Sequence, residues 1–314
     1  MAWLMLLGGL ALLLGGGELL VKGAVRLAER FHISPMVVGL TVVSFGTSAP
    51  ELLVSVQAAL EGHPDIAIGN VIGSNIANLA LVLGCTALIL PIPVARNTVR
   101  IDWPVMMMAT LFFYAAAYDG NISRPEGMGL FAFLIFYISF LFYQSRKETK
   151  ARRGELSQEA IEGPKEGTAL IDLLLIIGGC VGLVFGSKFL VSGATELAQS
   201  MGVSEHVIGV TVVAFGTSVP ELATSVVAAV RKELDISVGN LIGSNIFNIL
   251  AVLGITSMVT DIPVNEGVLA SDMWWVIAIT VLVLLLSIHK FLIHRWKGLL
   301  LVLFYCTYIY LVLT

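Results

Sequence analysis

The sequence predicts an all-α polytopic membrane protein, with ten transmembrane helices arranged as two inverted five-helix repeats. Three observations carry that expectation: the composition, the spacing of apolar segments and an internal duplication. Of 314 residues, 57% are hydrophobic and 13% charged, against roughly 25% charged in soluble domains. Mean hydropathy is +0.92. This balance excludes a soluble enzyme, a disordered chain and a disulfide scaffold. The net charge of −4 comes without a basic tail, which argues against nucleic acid as a partner. Cys85, Cys180 and Cys306 stand singly in apolar sequence. They lack the CxxC or Cys/His spacing of a zinc or redox site and read as small buried hydrophobes.

A helix needs about 20 apolar residues to cross the hydrocarbon core. Ten segments fit: 2–28, 35–60, 66–90, 99–118, 125–144, 168–200, 205–230, 236–259, 269–288 and 297–313. Membrane lipid is thus the expected surrounding. No basic stretch precedes the first segment, which favours a retained helix over a cleaved signal peptide.

The polar stretch 145–167 holds Arg146, Lys147, Lys150, Arg152, Arg153 and Lys165. The positive-inside rule places it in the cytoplasm, as a solvated linker too short for a regulatory domain. Five segments on each side then put both termini outside. The other inner connections hold Lys22, Arg26, Arg30, Arg96, Arg100, Arg231, Lys232, Lys290, Arg295 and Lys297, so 16 of the 18 basic residues fall inside. Arg124 falls in an outer loop, and Lys188 lies in the outer half of segment six, where it can snorkel.

The chain repeats itself at an offset of 170, without a gap. Residues 35–84 and 205–254 are identical at 29 of 50 positions. TVVSFGTSAPEL (41–52) returns as TVVAFGTSVPEL (211–222), and DIAIGNVIGSNIAN (65–78) as DISVGNLIGSNIFN (235–248). The expected organisation is a first repeat over 1–144 (motif 39–84), a linker over 145–167 and a second repeat over 168–314 (motif 209–254). Five helices is an odd number, so the second copy enters the membrane inverted, as in secondary transporters with sites near the midplane.

Within the motifs, Glu51 and Glu221 fall mid-segment. An ionised group at that depth costs about 2.5–3.5 kcal/mol on insertion scales and faces a cavity, a partner or a cation. No basic residue lies at comparable depth in segments two and seven, so a cation is the natural counter-charge. A protonated structural carboxyl is the alternative. Ser44, Thr47, Ser48, Glu51 and Ser55 share one helical face, and Thr217, Ser218, Glu221 and Ser225 repeat it. Such hard oxygen ligands suit Na⁺ or Ca²⁺.

Pro50 and Pro220 predict kinks, because proline has no N–H and clashes with the carbonyl four residues back. Such a kink either exposes carbonyls to a site or serves packing alone. Asn70, Ser74 and Asn78 repeat as Asn240, Ser244 and Asn248, beside GxxxG pairs that let helices approach closely. Asn75 and Asn245 are open to either role, ligand or interhelical hydrogen bond. Glu18 is placed to pair with Lys22 one turn on. Asp102 and Asp272 sit near helix starts, where the dipole favours acids. The histidines, His32, His63, His206, His289 and His294, fall near helix ends and form no relay.

GTSAPE and GTSVPE, with GNVIGSN and GNLIGSN, resemble the two α-repeats of the cation/Ca²⁺ antiporter superfamily. Over its whole length the chain is similar to the prokaryotic sodium/calcium exchangers, and with YDGNISRPEG (118–127) to their bacterial calcium/sodium antiporter group. The resemblance implies four cation sites. Glu51 and Glu221 match the central Ca²⁺ carboxylates, and Thr47 and Thr217 match residues giving backbone oxygens. Ser44, Ser48 and Ser244 fall at an inner Na⁺ site. Ala214, Ser218 and Ser74 fall at an outer one, and Asn78 and Asn248 flank the middle position. Segments one and six of the family slide against the other eight, and the glycines of both segments here fit that packing. Asn248 replaces an Asp found in some relatives, which argues against potassium co-transport.

The resemblance therefore implies an alternating-access Na⁺/Ca²⁺ antiporter in the plasma (inner) membrane of a prokaryote. Na⁺ and Ca²⁺ are the transported ions, no cofactor is needed and a monomer suffices. An H⁺/Ca²⁺ exchanger using the same site and a cation channel are the alternatives. No HExxH, Ser/Lys or paired-Asp motif suggests an enzyme.

Overall fold

The computed structural model describes residues 1–155, 168–202 and 214–313. Most of the linker and the start of segment seven, with His206, lie outside the described residues. Ten helical elements follow in chain order. They are α1 (Ala2–Phe31), α2 (Pro35–Thr47 and Ala49–Leu60), α3 (Pro64–Ile89), α4 (98–116) and α5 (Arg124–Glu155), then α6 (Ala169–Ser200), α7 (Ala214–Thr217 and Val219–Val230), α8 (Leu234–Val259), α9 (Val268–Ile288) and α10 (Arg295–Leu313). Among the described residues, seven helices are long and apolar enough to cross a membrane unbroken, and α2 makes a bent eighth. Helix α5 runs 11 residues past its expected end at 144, because Lys, Glu, Arg and Ala are strong helix formers and carry it into polar sequence.

The prolines break their helices as expected, but two residues earlier than their own positions. The halves of α2 meet at 44°. The break falls at Ser48, with φ −88° and ψ 3°, and in α7 at Ser218, with φ −87° and ψ 1°. Pro50 and Pro220 thus sit in the first turn of a new helix, where the fixed φ of proline suits the helix start.

Helices α3 and α8 form the centre, 72% and 83% buried along their apolar windows, against 17–33% for the other continuous spans. Helices α1 and α6 pack backbone to backbone. A Cβ on Gly9 would lie 2.7 Å from Leu190 N and 2.8 Å from Gly186 O, and one on Gly179 2.6 Å from Leu20 N, so only glycine permits this approach. At one end of the seam Asp172, fully buried, takes Arg26 Nε at 2.6 Å on one oxygen and Arg30 Nε at 2.5 Å on the other.

Two short antiparallel ladders tie the repeats together. β1 (Ile92–Pro93) pairs with β4 (Leu292–Ile293), and β2 (Asn121–Ile122) with β3 (Ile262–Pro263). Each ladder joins two connections that the charge pattern assigns to the same side of the membrane.

Two expectations about side chains are corrected. Cys306 is exposed, and Cys85 and Cys180 are only partly buried; in a membrane bundle the outside is apolar too, so a small hydrophobe need not go to the centre. Glu18 is held by Arg231 rather than by Lys22. Asp102 lies near the start of α4 as expected, ending a wide π-type turn over Thr98–Asp102, and also accepts the Tyr137 hydroxyl at 3.0 Å.

Candidate cation site

The breaks in α2 and α7 turn Glu51 and Glu221 into the first turns of their second halves. Both carboxylates are completely buried, and they interact electrostatically with each other. The neighbouring polar groups are supplied mainly by α3 and α8, which lie against the breaks. Helix α8 gets close because Gly243 has no side chain: a Cβ there would stand 2.7 Å from both Leu40 O and Ser44 Oγ.

Repeat-related contacts frame the site. Thr47 Oγ1 lies 3.3 Å from Ser244 Oγ, and Thr217 Oγ1 lies 3.4 Å from Ser74 Oγ. Asn70 Nδ2 donates to Ser55 Oγ at 3.0 Å, and Asn240 Nδ2 donates to Ser225 Oγ at 3.1 Å. Asn70 also donates to Glu51 O at 3.1 Å, and Asn240 Oδ1 accepts from Thr47 Oγ1 at 3.0 Å. The two asparagines are therefore braces for the broken helices. Ser44 Oγ donates to Leu40 O at 2.8 Å, which spends its proton and leaves its lone pairs available.

Seven of the nine buried side-chain N and O atoms without a hydrogen-bond partner among the described residues belong to residues expected at the site. They are both carboxylate oxygens of Glu51, Glu221 Oε2, Ser218 Oγ, Asn248 Oδ1, and Asn78 Oδ1 and Nδ2. Buried polar atoms are ordinarily paired, and six of these seven are oxygens. Among the described residues no Lys or Arg bonds either glutamate. No group of three or more His, Cys, Asp or Glu occurs among the described residues either. The cage is thus two carboxylates with hydroxyl and amide oxygens, a hard set unsuited to soft metals.

The structure brings Thr47 of α2 against Ser244 of α8, Ser44 close to Gly243 beside it, and Thr217 against Ser74. Ser48 Oγ donates to Glu221 Oε1 at 3.3 Å, across the two repeats. Asn248 Nδ2 donates to Asn75 Oδ1 at 3.1 Å, and Asn75 Nδ2 to Asn245 O at 3.4 Å, so Asn75 takes the interhelical role, whereas the Asn245 side chain donates to Leu241 O of its own helix at 2.8 Å. The side chain of Ala214 lies outside the described residues.

Two features were not anticipated. Ser187 of α6 donates at 2.5 Å to Gly216 O, the carbonyl that Pro220 leaves without its helical partner. Thr224 is buried with its hydroxyl unpaired one turn beyond Glu221. The missing N–H of Pro220 was a usable sign of the first; nothing in the spacing points to the second.

These elements define a class: a polytopic α-helical membrane protein with a buried, carboxyl-lined oxygen cage between two broken helices. The family model described as "Sodium/calcium exchanger protein" matches residues 1–143 and 171–314. A putative antiporter, CaxA of Alkalimonas amylolytica, is 37% identical, covering 99% of this chain and 98% of that one. Sodium/calcium exchanger MaX1 of Methanosarcina acetivorans is 33% identical, over 98% and 97%. A solved structure of the sodium-calcium exchanger NCX_Mj, soaked with Na⁺ and Ca²⁺, superposes with a TM-score of 0.82 at 34% identity, over 98% of this chain and 96% of that one. The chain belongs to the sodium/calcium exchanger family, and the activity class is cation/Ca²⁺ exchange by a membrane antiporter.

Proposed function

We propose that the protein exchanges Na⁺ for Ca²⁺ by alternating access at the Glu51/Glu221 cage. The observation that carries this reading is the set of orphaned oxygens on two fully buried carboxylates. Unpaired charges in such surroundings cost several kcal/mol each, and one Ca²⁺ matches the pair in charge. Calcium takes 6–8 oxygens at about 2.3–2.6 Å, which Glu51, Glu221 and backbone oxygens of Thr47 and Thr217 can supply in part. Several Na⁺ ions serve the same carboxylates with Ser44, Ser48 and Ser244 on one side, Ala214, Ser218 and Ser74 on the other, and Asn78 and Asn248 between. Competition of Na⁺ and Ca²⁺ for one anionic cage makes the exchange obligatory, since the empty cage carries two charges that hinder passage through an apolar barrier.

The reading extends to topology: ten spans, two inverted repeats, both termini outside and a cytoplasmic linker. It is supported by the ladders, which join only connections of like assignment, and by the Asp172 fork, which joins residues assigned to the inner side. The relatives matched over more than four fifths of this chain come from bacteria and archaea, in keeping with the plasma membrane of a prokaryote. Calcium extrusion by a monomer, driven by inward Na⁺, is the expected direction. Likeness to NCX_Mj structures described by extracellular ion exchange supports an outward-facing state.

The test is ⁴⁵Ca uptake into proteoliposomes. An outward Na⁺ gradient with any pH gradient collapsed is expected to drive uptake. Uptake driven by a pH gradient alone assigns the coupling to protons, and uncoupled conductance assigns a channel.

A further inference from the structure

We infer that the chain carries two salt-bridge latches, related by the internal repeat, that close alternately: Glu18 with Arg231 on the inner face and Lys188 with Glu61 on the outer face. This rests on the alternating-access reading above. Arg231, which caps the C-terminus of α7, grips Glu18 of α1 as a fork. Its Nε donates to Glu18 Oε2 at 2.9 Å, and its Nη2 to the other oxygen. Two-pronged guanidinium–carboxylate pairs are the strong and directional kind.

The offset of 170 carries Glu18 onto Lys188 and Arg231 back onto Glu61. Both members have changed sign, so the complementarity survives. The reversal has a physical reason. The positive-inside rule favours a basic residue at the inner end of α7 and leaves the outer end of α2 free to be acidic. Each partner on α1 or α6 must then reverse with it. The local frame is kept as well: the residue after each cap, Gly62 or Lys232, has positive φ, at 84° and 64°.

One latch is closed here and the other open. Glu61 accepts only from its own helix, Gln57 Nε2 at 2.8 Å, and among the described residues nothing joins it to Lys188. The packing differs in the same sense. Helix α1 lies along the second half of α7, so that a Cβ on Gly17 would stand 3.3 Å from Val227 Cγ2 and 3.4 Å from Ala223 O. On α2 the residue related to Ala223 is Leu53, which is 69% exposed. Helix α1 seals the inner end while α6 stands off the outer one. Because the glycine seam makes α1 and α6 one body, a shift that frees Glu18 carries Lys188 toward Glu61. Exposed pairs bias an equilibrium by about fivefold, enough to favour a state without trapping it.

The test uses the full-length protein in proteoliposomes, with Cys85, Cys180 and Cys306 replaced by serine and a short, reducible, thiol-specific cross-linker. The Glu18→Cys/Arg231→Cys pair is expected to cross-link quickly, and Glu61→Cys/Lys188→Cys slowly. Adding Arg231→Gln to the second pair is expected to speed its cross-linking about fivefold. Either cross-link should arrest ⁴⁵Ca exchange until reductant is added. The inference is overturned if the outer pair cross-links no faster than Glu61→Cys beside intact Lys188, or if Arg231→Gln leaves its rate unchanged. If the parent protein shows no Na⁺-driven flux while the cross-linking pattern holds, the transport reading fails and the latches stand.

Discussion

Helices α2 and α7 carry the same motif, break at the same serine and bury the same carboxylate, yet their surroundings differ. Ser48 of α2 reaches across to Glu221, while among the described residues the hydroxyl of its counterpart Ser218 has no partner and Glu51 has neither carboxyl oxygen satisfied. Asn248 is anchored on Asn75, while Asn78 is wholly unpaired. The carbonyl freed by Pro220 is taken by Ser187; the residue related to Ser187 in α1 is Gly17, which has no hydroxyl to offer Gly46. Some of this asymmetry is written in the residues, as at positions 17 and 187. The rest separates chemically equal groups. On the proposed inverted topology the two copies of the motif face opposite sides of the membrane, so one conformation leaves one engaged and the other open.

Substitutions at Glu51, Glu221, Ser187 and Asn248 would break or sharpen that contrast. The largest effect is expected from Glu51→Gln and Glu221→Gln. Each should lower Na⁺-driven ⁴⁵Ca exchange by about a hundredfold or more, since each removes half of the charge opposing a buried divalent ion, with folded protein still recovered from the membrane. Retained exchange in one of the two would mean that the halves are unequal in chemistry as well as in posture. Next comes Ser187→Ala, which strands the Gly216 carbonyl. A buried acceptor without a partner costs about 1–3 kcal/mol, so the unfolding midpoint should fall, whereas Gly17→Ala, at a site that makes no such bond, should not reproduce the loss through this carbonyl. Smallest for exchange itself is Asn248→Asp. The carboxylate can no longer donate to Asn75 and adds a third negative charge to the cage. Flux should persist and acquire a dependence on K⁺, read by titrating K⁺ at fixed Na⁺.

The chemistry of the cage was legible because it is local. Ser44, Thr47, Ser48 and Glu51 share a helical face by spacing alone, and the duplication marks which of many polar residues matter. The breaks were legible from Pro50 and Pro220, although the bend falls at Ser48 and Ser218, where the chain relieves the clash before the ring. Groups that meet across helices were not legible. Glu18 has a plausible partner four residues away in Lys22 and takes one 213 residues away instead. Asp172 offers no spacing that announces Arg26 and Arg30. Ser187 is one polar residue on a glycine-rich helix until the neighbouring proline is known to have freed a carbonyl. Pattern along one helix gives faces; which face meets which depends on packing that only the folded chain supplies.

The two small ladders have a consequence for how the protein is made. Each joins a connection of the first repeat to one of the second, Ile92 to Ile293 and Asn121 to Pro263. A nascent first half therefore leaves the ribosome with both of its short strands unpaired and must wait, inserted but unfinished, while nearly all of the second half is translated. Contacts this distant in sequence close late and slowly. Each half lacks the partners of its short strands until the other has been made, despite the duplication that makes each look complete.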